Sequence, residues 1–306
     1  MKQEFYYPSQ DGVTKIHTIE WIPEGEAKKI LQISHGMVEY IDRYDEFAKF
    51  LNDKGYYVVG QDHLGHGASV QHDSDLGFFH ETRGNEYVMG DIHELRKLTK
   101  EKYPKLPYFM LGHSMGSFLT RQYIKGHGQG LSGVVIVGTG NQPAALLVIG
   151  KMLCRVIARF KGWRFRSQLV NQMAFGGYNK KFEPARTTVD WISKDHAIVD
   201  KYVADPWCTF VFTVNAYYQM FCGMQVLKKS ENLEKIPKEL PVFFVSGEDD
   251  PVGNFGKSVK LVYQKYLACG IKDVTIKLFQ KDRHEVLNET DRQQVYEEIY
   301  QWIESK

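Results

Sequence analysis

The sequence has little cysteine for its length, and its cysteines are not arranged to hold a metal ion. Its 306 residues include only four, and they are far apart with no C-x-x-C pair: Cys154, Cys208, Cys222 and Cys269. Zinc sites and disulfide-stabilised secreted domains both depend on characteristic cysteine spacings. We therefore expect reduced thiols, and the sequence indicates neither a metal site nor a cofactor.

Long apolar runs and an excess of charge of one sign are also absent. No stretch approaches the about 18 apolar residues of a membrane span, and MKQEFYYPSQDG at the start lacks the apolar run of a signal peptide. Lys and Arg total 39 against 37 Asp and Glu, so no broad positive field predicts nucleic-acid binding. We expect a cytoplasmic protein, and no pattern indicates an oligomeric state.

The sequence does contain a regular alternation of strand-like and helix-like segments. KIHTIEWI (15–22) alternates as a half-buried edge strand does, and four short apolar runs are typical of strands buried on both faces: 28–34, 56–62, 107–114 and 132–139. Segments with helical spacing lie between them, at 44–55, 87–103 and 115–128. The alternation resumes near Leu240, with strands at 240–246 and 274–280 and helices at 256–270 and 292–304. This order predicts an α/β fold with a mostly parallel, doubly wound sheet.

About a hundred residues interrupt this alternation, which is too long for a structureless loop. The interruption is helix-like and rich in aromatic and basic residues. We interpret it as a helical cap (lid), residues 141–227, inserted over the carboxyl edge of a core formed by residues 1–140 and 228–306. DWISKD and DPWCTF within it are interpreted as structural and are assigned no chemistry.

LGHSMGS (111–117) contains the pattern G-x-S-x-G between an apolar strand and a helix. That setting is typical of a nucleophile elbow, in which glycines allow a tight turn and the serine occupies a strained conformation. Ser114 is thus the predicted nucleophile, and the N–H of Met115 is a predicted oxyanion donor. HG after an earlier strand (ISHGMVEY, 33–40) predicts the N–H of Met37 as the second donor.

A serine hydroxyl needs a base to remove its proton. Of eleven histidines, His284 is favoured because it follows the last predicted strand. A carboxylate must orient that histidine, and GEDDPVG (247–253) offers three adjacent acids after a strand. Pro251 restricts the residue before it to an extended conformation, which favours Asp250, with Asp249 as the alternative.

Together these motifs resemble the α/β-hydrolases, and more closely the monoacylglycerol lipase and lysophospholipase-like branch (the serine aminopeptidase S33-type domain). The matching pieces span residues 34–289: SHGMVEYIDRY, DHLGHGAS, LGHSMGS, SGEDDPVG and RHEVLNE. In that branch the acid stands three residues after the glycine of the acidic motif, as Asp250 does. The resemblance implies a carboxylic-ester hydrolase that forms an acyl-enzyme on Ser114. It also implies a polar pocket at Glu39 and Arg43 for a glycerol-like head group.

Other functions on the same triad stay open: a carboxylesterase of small or aromatic esters, a thioesterase or a peptidase. A non-catalytic binding protein is disfavoured because every triad member has a candidate. The expected partner is a small-molecule acyl ester or lipid. Residues 144–170 mix apolar and basic side chains at helical spacing. Such a helix contacts an anionic membrane surface, packs on the core or lines an acyl tunnel.

Overall fold

The computed structural model describes residues 1–306 and contains one sheet of eight strands. The strands are β1 (Lys2–Pro8), β2 (Lys15–Trp21), β3 (Lys29–Ser34), β4 (Tyr56–Gln61), β5 (Tyr108–His113), β6 (Gly133–Val137), β7 (Val242–Gly247) and β8 (Val274–Phe279). Their order across the sheet is β1-β2-β4-β3-β5-β6-β7-β8. The β1–β2 and β2–β4 pairs are antiparallel and the other pairs are parallel. The predicted fold class is confirmed.

Ten helices accompany the sheet. They are α1 (Asp45–Asp53), α2 (Gly84–Lys102), α3 (Met115–His127), α4 (Ala144–Lys161), α5 (Gln168–Phe175), α6 (His196–Ala204), α7 (Val214–Val226), α8 (Ser230–Glu234), α9 (Lys257–Ala268) and α10 (Arg292–Glu304). None of them combines the length and the apolar character that crossing a bilayer requires.

The prediction that residues 15–22 form an edge strand is wrong. β2 lies between β1 and β4, and all of its residues after Lys15 are buried. The strand at this edge of the sheet is β1, whose side chains are mostly exposed on both faces. Its sequence, KQEFYYP, lacks the apolar alternation that would have predicted a strand.

The sheet separates two apolar layers because successive strand residues point to opposite faces. In β5, Tyr108 and Met110 pack in the layer that includes residues of α2 and α3. Phe109 and Leu111 pack in the layer that includes residues of α1 and α10. Full burial of each such side chain stabilises the fold by about 1.5–3 kcal/mol. This two-sided burial explains why the central strands are continuous apolar runs.

Residues 138–241, here called the insertion, connect β6 to β7 and contain α4 to α8. α4 packs closely on α7, where a Cβ at Gly150 would lie 2.7 Å from the Phe221 ring. The insertion also contacts loops at the carboxyl ends of the core strands. Tyr202 donates a hydrogen bond to the Val38 carbonyl (3.0 Å), and the Glu285 N–H donates to the Ile192 carbonyl (2.7 Å). The cap boundaries at residues 141 and 227 stay a prediction.

Candidate active site

Ser114 occupies a sharp turn between β5 and α3. Its backbone has φ 53° and ψ −117°, a conformation that costs a non-glycine residue about 1–3 kcal/mol. Glycine is required on both sides of the turn. A Cβ at Gly112 would lie 2.3 Å from the Gly116 carbonyl oxygen, and a Cβ at Gly116 would lie 1.9 Å from the Ser34 carbonyl oxygen. The close approach of three backbone segments therefore holds Ser114 at the carboxyl edge of the sheet.

The two predicted oxyanion donors lie beside this serine. Met115 is the first residue of α3, where backbone N–H groups have no partner within the helix. Gly36 lies against the elbow, since a Cβ there would be 3.0 Å from the Ser114 Cβ. Met37, Ser114 and Met115 line one cavity. The arrangement brings both predicted donor segments to the nucleophile.

His284 follows β8 and is buried against Asp250. The Nδ1 atom of His284 is 3.0 Å from the Asp250 Oδ1. The same carboxylate accepts hydrogen bonds from the Val252 N–H (2.8 Å) and the Ser246 hydroxyl (3.3 Å). These contacts fix Asp250, which is fully buried. Asp249, by contrast, forms an ion pair with Lys181 at the surface.

Ser114 and His284 line a common cavity of about 470 Å³. No hydrogen bond joins their side chains, so the proton path from Ser114 Oγ to His284 Nε2 is not closed in this conformation. Catalytic hydrogen bonds are often long without substrate and tighten in the reacting complex.

A buried polar network lies behind the catalytic groups, with Glu39 at its centre. The Glu39 carboxylate accepts hydrogen bonds from the Gly36 N–H, the Tyr44 hydroxyl (2.9 Å) and the Arg43 guanidinium (2.9 Å), and it lies 3.0 Å from the His113 Nδ1. Burial opposes its ionisation, yet the hydrogen bond from His113 and the charges of His113 and Arg43 hold the pKa of Glu39 well below its usual range. Burial also opposes the charged form of His113, but the bond to Glu39 raises its pKa.

Arg43 extends this network to the histidine loop. Its guanidinium donates to both oxygens of Glu285, at 2.8 and 2.7 Å, and lies 4.9 Å from the centre of the Tyr202 ring. Glu39 and Glu285 line the 470 Å³ cavity, whereas Arg43 is not among its lining residues. Glu39 and Arg43 thus hold three segments together: the loop after β3, called the oxyanion loop because it carries the predicted donor Met37, the elbow and the histidine loop. Their predicted contact with a head group stays a prediction.

Trp191 contacts the predicted base, a contact that the sequence interpretation missed. The Trp191 ring is 5.1 Å from the His284 ring, and the Trp191 carbonyl accepts a hydrogen bond from the His284 N–H (3.4 Å). DWISKD is therefore the part of the insertion that covers the predicted base. No local pattern indicates this contact, because the two segments are distant in the chain. His113 and Glu285 were missed for the same reason.

Three carboxylates near the histidine loop form the one acidic cluster close enough to hold a metal ion. Ligand atoms of Asp282, Glu289 and Asp291 lie within 4.8 Å of one another. The Lys194 ammonium already bonds to Asp282 and to Asp291 (2.8 Å), so the positive charge in this cluster comes from a lysine and not from a metal ion. Burial and the Glu289 charge raise the pKa of Asp282 to about 7 despite the bond from Lys194. The cluster ties the insertion to the histidine loop.

Two cavities of different character meet at Ser114. The first has a volume of about 300 Å³, and 15 of its 18 lining residues are hydrophobic, most of them from α4, α5 and α7. The second, here called the polar cavity, is the 470 Å³ cavity, in which 11 of the 22 lining residues are hydrophobic and Gln168, Asn171, Gln172 and Glu285 are among the others. A scissile bond at Ser114 would therefore have an apolar environment on one side and a more polar one on the other.

Known proteins resemble this chain along most of its length. The family model described as "Serine aminopeptidase, S33" matches residues 25–291. Human monoglyceride lipase is 25% identical over 296 residues, which cover 94% of this chain and 86% of the human protein. A monoacylglycerol lipase from Mycolicibacterium smegmatis is 24% identical over 307 residues, covering 99% of this chain and 98% of that protein.

A solved structure agrees with these sequence matches. A thermostable carboxyl esterase from Bacillus coagulans, solved in complex with glycerol, superposes with a TM-score of 0.92 at 30% identity, covering 99% of this chain and 98% of the esterase. The family match and this superposition include all of the strands that carry the predicted catalytic groups. The chain therefore belongs to the serine aminopeptidase S33 family and is an ester hydrolase in the monoacylglycerol lipase-like branch of the α/β-hydrolases.

Proposed function

We propose that this enzyme hydrolyses esters of an extended acyl chain with a small uncharged polyol, as in a monoacylglycerol. The observation that carries the proposal is the position of Ser114 between the apolar and the polar cavity. The apolar cavity of about 300 Å³ suits a hydrocarbon chain, since small-molecule pockets measure about 300–1,000 Å³. The relatives named above as monoacylglycerol lipases support the same substrate class.

In the proposed mechanism Ser114 Oγ attacks the ester carbonyl and His284 accepts its proton. Asp250 accepts a hydrogen bond from His284 Nδ1, so that Nε2 faces the serine and the imidazolium is stabilised. The N–H groups of Met37 and Met115 bind the oxyanion. His284 then protonates the leaving alcohol, and water hydrolyses the acyl-enzyme by the same steps.

The charges around the polar cavity argue for an uncharged head group. No Lys or Arg lines this cavity, and its His113 is already paired with Glu39, so no free cation there pairs with the phosphate of a lysophospholipid. Its two carboxylates, Glu39 and Glu285, are already bonded to Arg43. A peptide with a free ammonium group would therefore find no unpaired anion. We expect lysophospholipids and peptides to be poorer substrates than monoacylglycerols.

Two experiments test this proposal. A fluorophosphonate probe should label the native protein and not Ser114→Ala; no labelling of the native protein, or equal labelling of both, would overturn the acyl-enzyme mechanism.

A series of monoacylglycerols, lysophospholipids, acyl thioesters, aromatic acetates and aminoacyl amides should show the highest kcat/KM for monoacylglycerols. A preference for aromatic acetates would overturn the substrate class and leave the mechanism intact.

We also propose that the insertion acts as a cap, residues 141–227, whose outer surface contacts membranes. Side chains along one face of α4 are more than half exposed although they are apolar: Leu146, Ile149, Met152, Val156 and Phe160. Leu146 also lines the apolar cavity, so the cavity wall reaches this surface. Arg155, Arg159 and Lys161 are exposed on the same helix. An amphipathic helix of this composition favours an anionic lipid surface.

Vesicle flotation tests the membrane contact. The native protein should float with phosphatidylserine-containing vesicles and less with phosphatidylcholine alone. Met152→Ser combined with Phe160→Ser should reduce flotation at least tenfold. Leu261→Ser, which removes an exposed apolar side chain from α9 on the core, is the matched control and should float as the native protein does. Equal flotation of all variants would contradict the proposed surface. A cytoplasmic location stays a prediction.

A further inference from the structure

Arg121 of α3 is a buried cation without a carboxylate partner. The residue is only 4% exposed. Its Nη1 donates to the Thr139 hydroxyl (3.0 Å) and to the Gly140 carbonyl (2.9 Å), both uncharged groups. Its Nε is buried and has no hydrogen-bond acceptor. A buried charge of this kind is strongly destabilising unless a group of opposite charge compensates it.

A second cation, Lys228, lies beside Arg121 and lacks an acidic partner as well. Its ammonium donates to the Asn141 amide oxygen (2.5 Å), which is neutral. Burial and the positive charges of Lys265 and Arg121 lower the pKa of Lys228 to about 8. The local field is thus positive and uncompensated by any side chain.

Both cations line a small cavity of about 10 Å³. None of the nine residues that line it is acidic. A cavity of about this volume holds one water molecule. A monatomic halide is of comparable size, whereas sulfate and phosphate carry four oxygens around the central atom and are too large.

We propose that this cavity is a binding site for a small monovalent anion of the size of chloride, held between Arg121 and Lys228. A bound anion supplies the missing negative charge and offers Arg121 Nε an acceptor. Water offers the acceptor but leaves both charges uncompensated, so the anion is the favoured occupant. The site is separate from the catalytic groups and does not depend on the identity of the substrate.

The position of the site gives the anion a structural consequence. Gly140 and Asn141 belong to the connection from β6 into α4, and Lys228 follows α7. The anion would therefore join the segment before α4 and the segment after α7 to α3. Phe118, Leu147 and Met224 line both this cavity and the apolar cavity next to Ser114. Occupancy should consequently rigidify one wall of the proposed acyl site.

Bromide provides a direct test, because it substitutes for chloride and scatters X-rays anomalously. Crystals of the native protein soaked in bromide should show an anomalous peak between Arg121 and Lys228. Crystals of Lys228→Met should lack that peak while keeping the same backbone. Water without anomalous signal in the native cavity would overturn the proposal.

Thermal unfolding gives a second test in solution. At constant ionic strength, replacing gluconate by chloride from about 5 to about 200 mM should raise the native Tm by about 2 °C or more, because only the folded state binds the anion. Arg121→Gln and Lys228→Met should abolish this rise. Lys105→Gln, which removes an exposed unpaired lysine, should keep it. A native Tm that does not respond specifically to halide would contradict the site, whatever the enzyme hydrolyses.

Discussion

The loops of the core and the helices of the insertion build the two halves of the active site in different ways. The core loops position ionisable side chains that are buried and hydrogen-bonded to one another, as in Asp250 with His284 and Arg43 with Glu39 and Glu285. The insertion contributes mainly apolar side chains to the cavity walls, and several of these are exposed. The difference indicates a division of labour. Changes in the core loops should lower kcat, whereas changes in the insertion should alter which ester is accepted.

The largest effect is expected at the acid of the core. Asp250→Asn presents an amide NH2 that can donate to His284 Nδ1, which favours the tautomer with its proton on Nε2, so kcat should fall by about 10⁴-fold with little change in KM. Steady-state kinetics and the Tm measure the two consequences separately.

Asp249→Asn is the matched control, one residue away and paired with Lys181 at the surface. Its kcat should stay within about threefold, because surface ion pairs contribute at most about 1 kcal/mol. A large loss of kcat in Asp249→Asn and a small one in Asp250→Asn would show that Asp249, and not Asp250, orients His284.

Removing the charge of Glu39 should have the next largest effect. Glu39→Gln keeps the size of the side chain but presents an amide to donors on Arg43, Tyr44 and His113. The Gly36–Met37 turn would lose its fixed orientation, so we expect kcat to fall by about 10- to 100-fold. This loss is smaller than that caused by deleting an oxyanion donor, which lowers kcat by about 10²–10³-fold. The pKa of His113 should fall as well, which NMR of its imidazole would detect.

Glu46→Gln serves as the control for Glu39→Gln, since Glu46 pairs with Arg292 at the surface. It should leave kcat unchanged. A folded Glu39→Gln protein with native kcat would show that the network has no part in positioning the oxyanion loop.

Filling the apolar cavity tests whether the insertion determines which ester is accepted. Leu153 lines this cavity, so the larger side chain of Leu153→Trp should shorten the longest acyl chain that the enzyme accepts. The kcat/KM for long-chain monoacylglycerols should fall by about tenfold, a loss typical of a few displaced methylene groups. Activity on an acetyl ester should change less than threefold. Met152→Trp, at the exposed neighbouring position outside the cavity, should change neither. Equal losses on long and short esters would contradict the assigned acyl site.

The same division explains how far the sequence predicted the structure. The central strands and the helices between them were predicted to within a few residues, because two-sided burial produces continuous apolar runs such as YFMLGH in β5. G-x-S-x-G and GEDDPVG indicated Ser114 and Asp250, since the backbone constraints of glycine and proline act locally. The cavity walls of the insertion were not predictable in detail.

What the sequence could not show are contacts between distant segments. Arg43 and Glu285 are 242 positions apart, and Glu39 and His113 are 74 positions apart. Trp191 meets His284 only because the insertion folds back onto the histidine loop. No local pattern marks such pairs, because the partners are far apart in the sequence. Chain topology, rather than propensity, brings them together.

The smallest expected effect lies where the two regions meet, at Asp282. The pKa of Asp282 is raised to about 7 in the folded state, whereas it is about 3.9 in an unfolded chain. The folded state therefore holds the proton more tightly, and the stability that this provides is lost as the pH rises through 7. The Tm of Asp282→Asn relative to the native protein should therefore increase by a few degrees between pH 5 and pH 8. For Asp291, burial raises the pKa, but the bond from Lys194 lowers it below its ordinary value. Asp291→Asn should thus show a constant Tm difference over the same range. A constant difference for Asp282→Asn as well would mean that this junction holds no titrating proton, and that ionised carboxylates bonded to Lys194 fasten the insertion to the histidine loop.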